Sequence, residues 1–178
     1  MTTNILIAGF GGQGILFAGK FLAYQGLIEG KELSWLPSYG PEMRGGTANC
    51  SVIIGDEPVG SPIVSKPDIL MVMNLPSLDK YEKDVVPGGT VIVDSTLIER
   101  KLVRDDVKAV YIPATAIAKE SGHPTLANII LVGKMIRETG MLRFDDIEDG
   151  LKKVISAKHA DHLGANLKAL EAGYKFKD

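Results

Sequence analysis

The segment Gly9-Phe10-Gly11-Gly12-Gln13-Gly14 has G-x-G-x-x-G spacing and separates a short apolar run, Asn4 to Ala8, from a longer one, Ile15 to Ile28. A strand, a glycine turn and a helix in that order can cradle an anion. The glycines let the backbone approach a phosphate closely, and the helix start offers N–H groups with partial positive charge. Gly11, Gly12, Gln13 and Gly14 are therefore candidate ligand-binding residues. A dinucleotide needs one part more, an acid at the end of the second strand to hold the ribose hydroxyls. Here that run ends Trp35-Leu36-Pro37-Ser38, and Glu29 and Glu32 lie at or before its start, which argues against NAD. The same glycines would equally serve close strand-to-helix packing with no ligand at all.

A second glycine segment, Ser38-Tyr39-Gly40-Pro41-Glu42-Met43-Arg44-Gly45-Gly46, lies between two strand-like runs. Arg44 could pair bidentately with a phosphate or a carboxylate, and Gly45 and Gly46 would let that ligand come close. Tyr39 and Glu42 are candidates for ordering the loop or for an interface, with Glu42 paired to Arg44 or to another subunit. The alternative, a salt bridge within the loop, stays open on sequence alone.

The remaining reactive side chains point to no centre. His159-Ala160-Asp161-His162 sets two imidazoles beside a carboxylate, but no further ligand stands near, and the segment reads as an exposed helix start capped by Asp161. His123 sits in a Gly-His-Pro turn. Cys50 falls in a strand with apolar neighbours and reads as a buried, inert thiol. No Ser, His and Asp pattern suggests a hydrolase nucleophile.

The elements that position these residues follow from periodicity and punctuation. Strands are expected at Asn4 to Ala8, Glu32 to Leu36 (stopped by Pro37), Thr47 to Ile54, Asp68 to Met73, Thr90 to Asp94 and Val107 to Ile112. Gly55-Asp56 is expected to turn the third strand into a hairpin with Glu57 to Val59. Helices are expected at Ile15 to Ile28, around Ser77 to Lys83, Leu126 to Glu138, Asp145 to Ala157 and Leu163 to Ala172, with Gly140 closing the third. The fold class is α/β: a three-layer α/β/α, Rossmann-like arrangement with a mixed, mostly parallel sheet and a helical C-terminal third. Residues 1–178 read as a single domain, with no repeat or linker.

Composition narrows the function. Of 178 residues, 45% are hydrophobic and 24% charged, as in ordinary globular chains. Twenty basic against 22 acidic side chains leave a net charge of −2, so no broad cationic field invites nucleic acid. A membrane span needs roughly 20 consecutive apolar residues, and no window supplies them. No targeting segment is visible, and a cytoplasmic protein is expected. With one cysteine, Cys50, the chain cannot form an internal disulfide or hold an iron–sulfur cluster or a Cys-based zinc site by itself.

The first glycine loop, followed some thirty residues later by Pro41-Glu42-Met43-Arg44-Gly45-Gly46, resembles the gamma subunit of the 2-oxoacid:ferredoxin oxidoreductases. The likeness continues through Pro67 to Leu70, Pro87-Gly88-Gly89, the helix holding Asn128 and the tail from Asn166 to Gly173, so it covers nearly the whole chain. Leu36 to Cys50 is most similar to the 2-oxoglutarate members. The resemblance implies a share in one reaction: a 2-oxoacid, coenzyme A and oxidised ferredoxin give acyl-CoA, carbon dioxide and reduced ferredoxin. It implies thiamine diphosphate with Mg2+ on alpha and beta subunits, and iron–sulfur clusters on the beta and a small delta subunit. Coenzyme A is the co-substrate that enters near the gamma domain. The sequence lacks the Gly-Asp-Gly and following Asn of a thiamine enzyme, so this chain is expected to be inactive alone and to bind no cofactor alone, with catalytic residues elsewhere. Gly11 to Gly14 would offer N–H groups to a coenzyme A phosphate, Arg44 would pair with a phosphate or the oxoacid carboxylate, and Asn128 joins Tyr39 and Glu42 in an interface or loop-ordering role. Two other classes compete: a free-standing NAD-dependent dehydrogenase, and a stand-alone nucleotide- or coenzyme-A-binding regulatory module.

Overall fold

The computed structural model describes residues 1–38 and 47–178. The apolar run near the start forms β1 (Thr2–Phe10), with Ile5 and Ile7 buried on one face of the sheet and Leu6 and Ala8 on the other. A strand apolar on both faces belongs in the middle of a covered sheet, and β1 sits there. The order is β2-β3-β1-β4-β5-β6, with β2 (Glu32–Ser38), β3 (Thr47–Gly55), β4 (Ile69–Val72), β5 (Thr90–Asp94) and β6 (Lys108–Ile112). From β1 through β6 the pairs are parallel, and β3 runs antiparallel between β1 and β2.

The mixed sheet expected from the sequence is present, but its antiparallel part has a different origin. β3 pairs along its length with β1 on one side and β2 on the other, and Glu57 to Val59 form no strand. Thr47 to Gly55 is buried almost throughout, so burying both of its edges outweighs a local hairpin. Nor does Pro37 stop β2: the strand continues to Ser38, with Pro37 opposite Cys50. β2 is an edge strand, where a missing N–H costs no ladder bond on the outer side.

The helices α1 (Ile15–Ile28), α3 (Ala114–Glu120), α4 (Ala127–Thr139), α5 (Ile147–Val154) and α6 (Leu163–Lys175) contribute to the larger core on one face. The opposite face is covered more thinly, by α2 (Leu75–Tyr81) through Leu78 and by loops carrying Val64, Val85 and Ile98. The three layers are therefore lopsided, with the C-terminal helices massed on one side. α1 lies tight on β3 because Gly19 and Gly26 stand over Cys50 and Ile54, leaving no room for a side chain at Gly19. α4 and α6 cross at two glycines: a Cβ on Gly133 would overlap the Leu170 carbonyl, and one on Gly173 the Ile130 carbonyl. That backbone-to-backbone approach brings the start of α6 beside the start of α4. Among the described residues no helix is long and apolar enough to cross a membrane.

Candidate functional site

The chain leaves the adjacent parallel strands β1 and β4 toward opposite faces of the sheet, α1 packing in one core and α2 in the other. A crevice opens at such a point, outside the carboxyl ends of the strands. The first glycine loop occupies it, and Gln13 fixes the loop in place. Its Oε1 accepts from the Phe10 N–H at 2.6 Å, and its Nε2 donates to the Met73 carbonyl at 3.1 Å, tying the loop to the end of β4. Both ends of the Gln13 amide are thus committed within the chain. Its part in the site is to hold the loop.

Gly14 is the N-cap of α1 in the left-handed region, with φ of 76°. A side chain there would be strained and would also overlap the carboxamide of Asn128. Asn128, in the first turn of α4 and 3% exposed, donates through Nδ2 to the Gly14 carbonyl at 3.0 Å. Gly12 has φ of 90° and is exposed. The glycines therefore do serve close packing, at Gly14 against Asn128, while Gly12 stays open.

Gly12, Gly14 and Asn128 wall one cavity of about 520 Å3, completed by Phe17, by Thr125 and Leu126 before α4, by Val154, Ile155 and Ser156 at the end of α5, and by His159, His162 and Asn166. A volume of this size lies within the range of small-molecule sites, about 300–1,000 Å3. Among the described residues no carboxylate lines it. α1, α4 and α6 all start beside it, without a side-chain cap and without an acidic residue in the first turn. Helix starts favour a phosphate or carboxylate. At α6 the Leu163 N–H already donates to the Ala160 carbonyl and the Asp161 carboxylate lies 3.8 Å from His162 Nε2, so the starts of α1 and α4 carry this preference.

His159 and His162 were legible as a pair, but not as part of this wall. They lie on the 3-10 segment Ala157–His162 with rings stacked at 5.1 Å, 19° from parallel. Asp161 does not cap the following helix: the N-cap position is His162, and no side chain bonds there. Asn166 Nδ2 donates to the His162 carbonyl at 2.9 Å. Nothing in the sequence sets this segment against a loop some 145 residues earlier; the α4–α6 crossing does.

Cys50 is fully buried, its Sγ donating toward the Ile15 carbonyl at 3.6 Å, and burial pushes its pKa up to about 12. One sequestered thiol does not fit an iron–sulfur cluster, which takes several thiolates. Among the described residues no three His, Cys, Asp or Glu side chains are grouped to hold a metal ion. His123 is exposed in its turn. Tyr39, Glu42, Arg44, Gly45 and Gly46, candidates from the second glycine segment, lie outside the described residues.

The fold is a mixed α/β sheet with a glycine loop opening onto a cavity that no carboxylate of the described residues lines. The chain belongs to the pyruvate ferredoxin/flavodoxin oxidoreductase family, whose model matches residues 4–176. It is 42% identical over 172 residues to ketoisovalerate oxidoreductase subunit VorA of Methanothermobacter marburgensis, covering 96% of this chain and 35% of that protein. The chain thus spans about a third of the length of the VorA relatives. It is 38% identical over 178 residues to 2-oxoglutarate synthase subunit KorC of Methanocaldococcus jannaschii, covering 98% of this chain and 94% of that one. The crystal structure of a keto/oxoacid ferredoxin oxidoreductase gamma subunit from Geobacter sulfurreducens has the same fold, with a TM-score of 0.83 at 30% identity over 97% of this chain and 96% of that chain.

Proposed function

We propose that this chain is the gamma-type subunit of a cytoplasmic 2-oxoacid:ferredoxin oxidoreductase, acting with alpha-, beta- and delta-type partners. The partners hold thiamine diphosphate, Mg2+ and the iron–sulfur clusters, and pass electrons to ferredoxin. This chain contributes a wall of the coenzyme A site. The observation that carries the reading is the glycine loop, tied down by Gln13 and Asn128, whose Gly12 and Gly14 wall a cavity beside the starts of α1, α4 and α6 that no carboxylate of the described residues lines. The Gln13 N–H is committed to the Phe10 carbonyl at 3.3 Å, so the glycine N–H groups of the loop are the ones suited to a coenzyme A phosphate. Arg44, between Gly45-Gly46 and Glu42, supplies a second anion contact, to a phosphate or to the substrate carboxylate. The oxoacid is 2-oxoglutarate, a choice supported by the end-to-end likeness to KorC.

Co-expression with the neighbouring reading frames tests the subunit role. Co-elution with chains bearing thiamine diphosphate and iron–sulfur absorbance, and coenzyme-A-dependent ferredoxin reduction with 2-oxoglutarate, are expected. In that complex Arg44→Ala should raise the Michaelis constant for coenzyme A or oxoacid; unchanged constants with assembly intact would make Arg44 a bystander. The 42% identity to VorA favours a second substrate, ketoisovalerate, which the same assay separates. A lone chain that binds coenzyme A and recruits no partner would instead favour the stand-alone regulatory module.

A further inference from the structure

Three large apolar side chains stand exposed in a row along one edge of the sheet. Phe10, Leu75 and Leu97 are 40%, 42% and 44% exposed, and they sit at or just past the ends of β1, β4 and β5. Those strands are parallel neighbours, so with strands about 4.8 Å apart the row spans roughly 10 Å. Each of the three is carried on a turn that a polar side chain fixes. The Phe10 N–H donates to Gln13 Oε1 at 2.6 Å. Next to Leu75, Asn74 Oδ1 accepts from the Ser77 N–H at 2.8 Å. Beside Leu97, Asp94 accepts from the Thr96 N–H at 3.1 Å and from the Thr115 hydroxyl at 2.6 Å. The turns are thus set in advance, and contact with these side chains would order little.

Charge divides the two ends of the sheet. Among the described residues of this carboxyl edge (10–14, 36–38, 47–49, 73–77, 94–98 and 112–116) the one charged side chain is Asp94, which is buried. The opposite edge carries ion pairs, from the Met1 amine and Lys31 to Asp56 and from Lys108 to Glu138. The core of a protein interface is depleted in charge and built on apolar and aromatic anchors. We infer that this carboxyl edge docks the alpha-type chain, through a partner surface that is likewise apolar and uncharged, with Phe10, Leu75 and Leu97 as anchors. A charge set against the row would lose its water without gaining a counter-charge. The occupant is an unlike chain because the match takes up only 35% of VorA, where a domain of this kind shares its polypeptide with a larger part. A lasting join between unlike parts is what an apolar interface serves. The inference rests on the subunit reading above and adds where on this chain the partner sits.

Leu75→Asp and Leu97→Asp, combined in the full chain and co-expressed with the alpha-type chain of the neighbouring reading frame, test it. Leu75 opens α2, where an acid favours the helix, and a melting curve beside that of the unaltered chain checks the fold. Recovery of the alpha-type chain should fall about tenfold or more. Leu27→Asp and Val103→Asp, 58% and 81% exposed but away from this edge, should leave recovery unchanged. Hydrogen exchange reads the same surface without a variant: residues 73–77 and 94–98 should exchange more slowly in the complex than in the lone chain. A folded double variant that recovers the partner in full, controls that lose it equally, or unchanged exchange at 73–77 and 94–98 would overturn the inference. A lone chain that sediments as a dimer, made monomeric by the double variant, would overturn it too, since the row would then belong to a second copy. If the unaltered chain recovers no alpha-type chain, the subunit reading fails and takes this surface with it. If both the unaltered chain and the double variant recover it, the surface alone fails.

Discussion

The Asn128 amide nitrogen donates to the carbonyl oxygen of Gly14 at 3.0 Å, joining the first turn of α4 to the turn that opens α1 across 114 residues of sequence. One hydrogen bond thus couples the glycine loop to the C-terminal helices, and it exists only because Gly14 has no side chain in the space Asn128 fills.

Gly14→Ala should therefore act twice, through strain at φ of 76° and through collision with Asn128. A loss of about 1–3 kcal/mol in urea denaturation is expected. Combined with Asn128→Ala, the loss should be smaller than the sum of the two single changes, because the collision is removed; full additivity would show the residues to be uncoupled.

Gln13→Ala removes both side-chain ties between the loop and the sheet, leaving the backbone bond from the Gln13 N–H to the Phe10 carbonyl, and should cost about 1–2 kcal/mol. Gln13→Glu is more diagnostic. Its carboxylate would face the Met73 carbonyl that Nε2 now donates to at 3.1 Å, so the native state would favour the protonated acid and raise its pKa. The variant should consequently recover stability relative to the unaltered chain as pH falls toward about 4. Parallel pH profiles of melting temperature for the two proteins would refute this placement.

At the α4–α6 crossing, Gly173→Ala and Gly133→Ala each force two backbones apart and should destabilise by about 1–3 kcal/mol. Gly164→Ala provides the control on the same helix. That residue is exposed with open space around its Cα, and the added methyl should stabilise by about 0.4–1 kcal/mol. Thermal melts of the three variants distinguish a packing contact from a general intolerance of alanine.

Cys50 should resist alkylation by iodoacetamide at about pH 8 in the folded chain and react on addition of denaturant. Its thiol titrates near 12 when folded against 9.0 as the ordinary value, because burial penalises the thiolate. In the interval between those values the unfolded chain gives up a proton that the native chain keeps, so Cys50 makes stability fall as pH rises through it. Cys50→Ala should flatten that part of the alkaline stability profile; an unchanged slope would exclude the thiol as its source.

The sequence by itself determined the α/β class, the six strand positions to within a few residues, the glycine turn before α1 and the improbability of a cluster on a chain with Cys50 alone. These follow from local rules: two-residue and 3.6-residue periods, glycine punctuation and thiol arithmetic. Strand partners and the cavity were decided only in three dimensions. Glu57 to Val59 had the local look of a hairpin arm, yet β3 is held between β1 and β2, since pairing on both edges and burial of both faces exceed what one turn can offer. Pro37 looked like a stop and is an edge-strand residue, because which edge meets solvent depends on the whole sheet. His159, His162 and Asn166 had no sequence signal linking them to Gly12 and Gly14. Their meeting depends on Gly133 and Gly173 letting α4 and α6 touch backbone to backbone, a long-range packing event that no local pattern encodes.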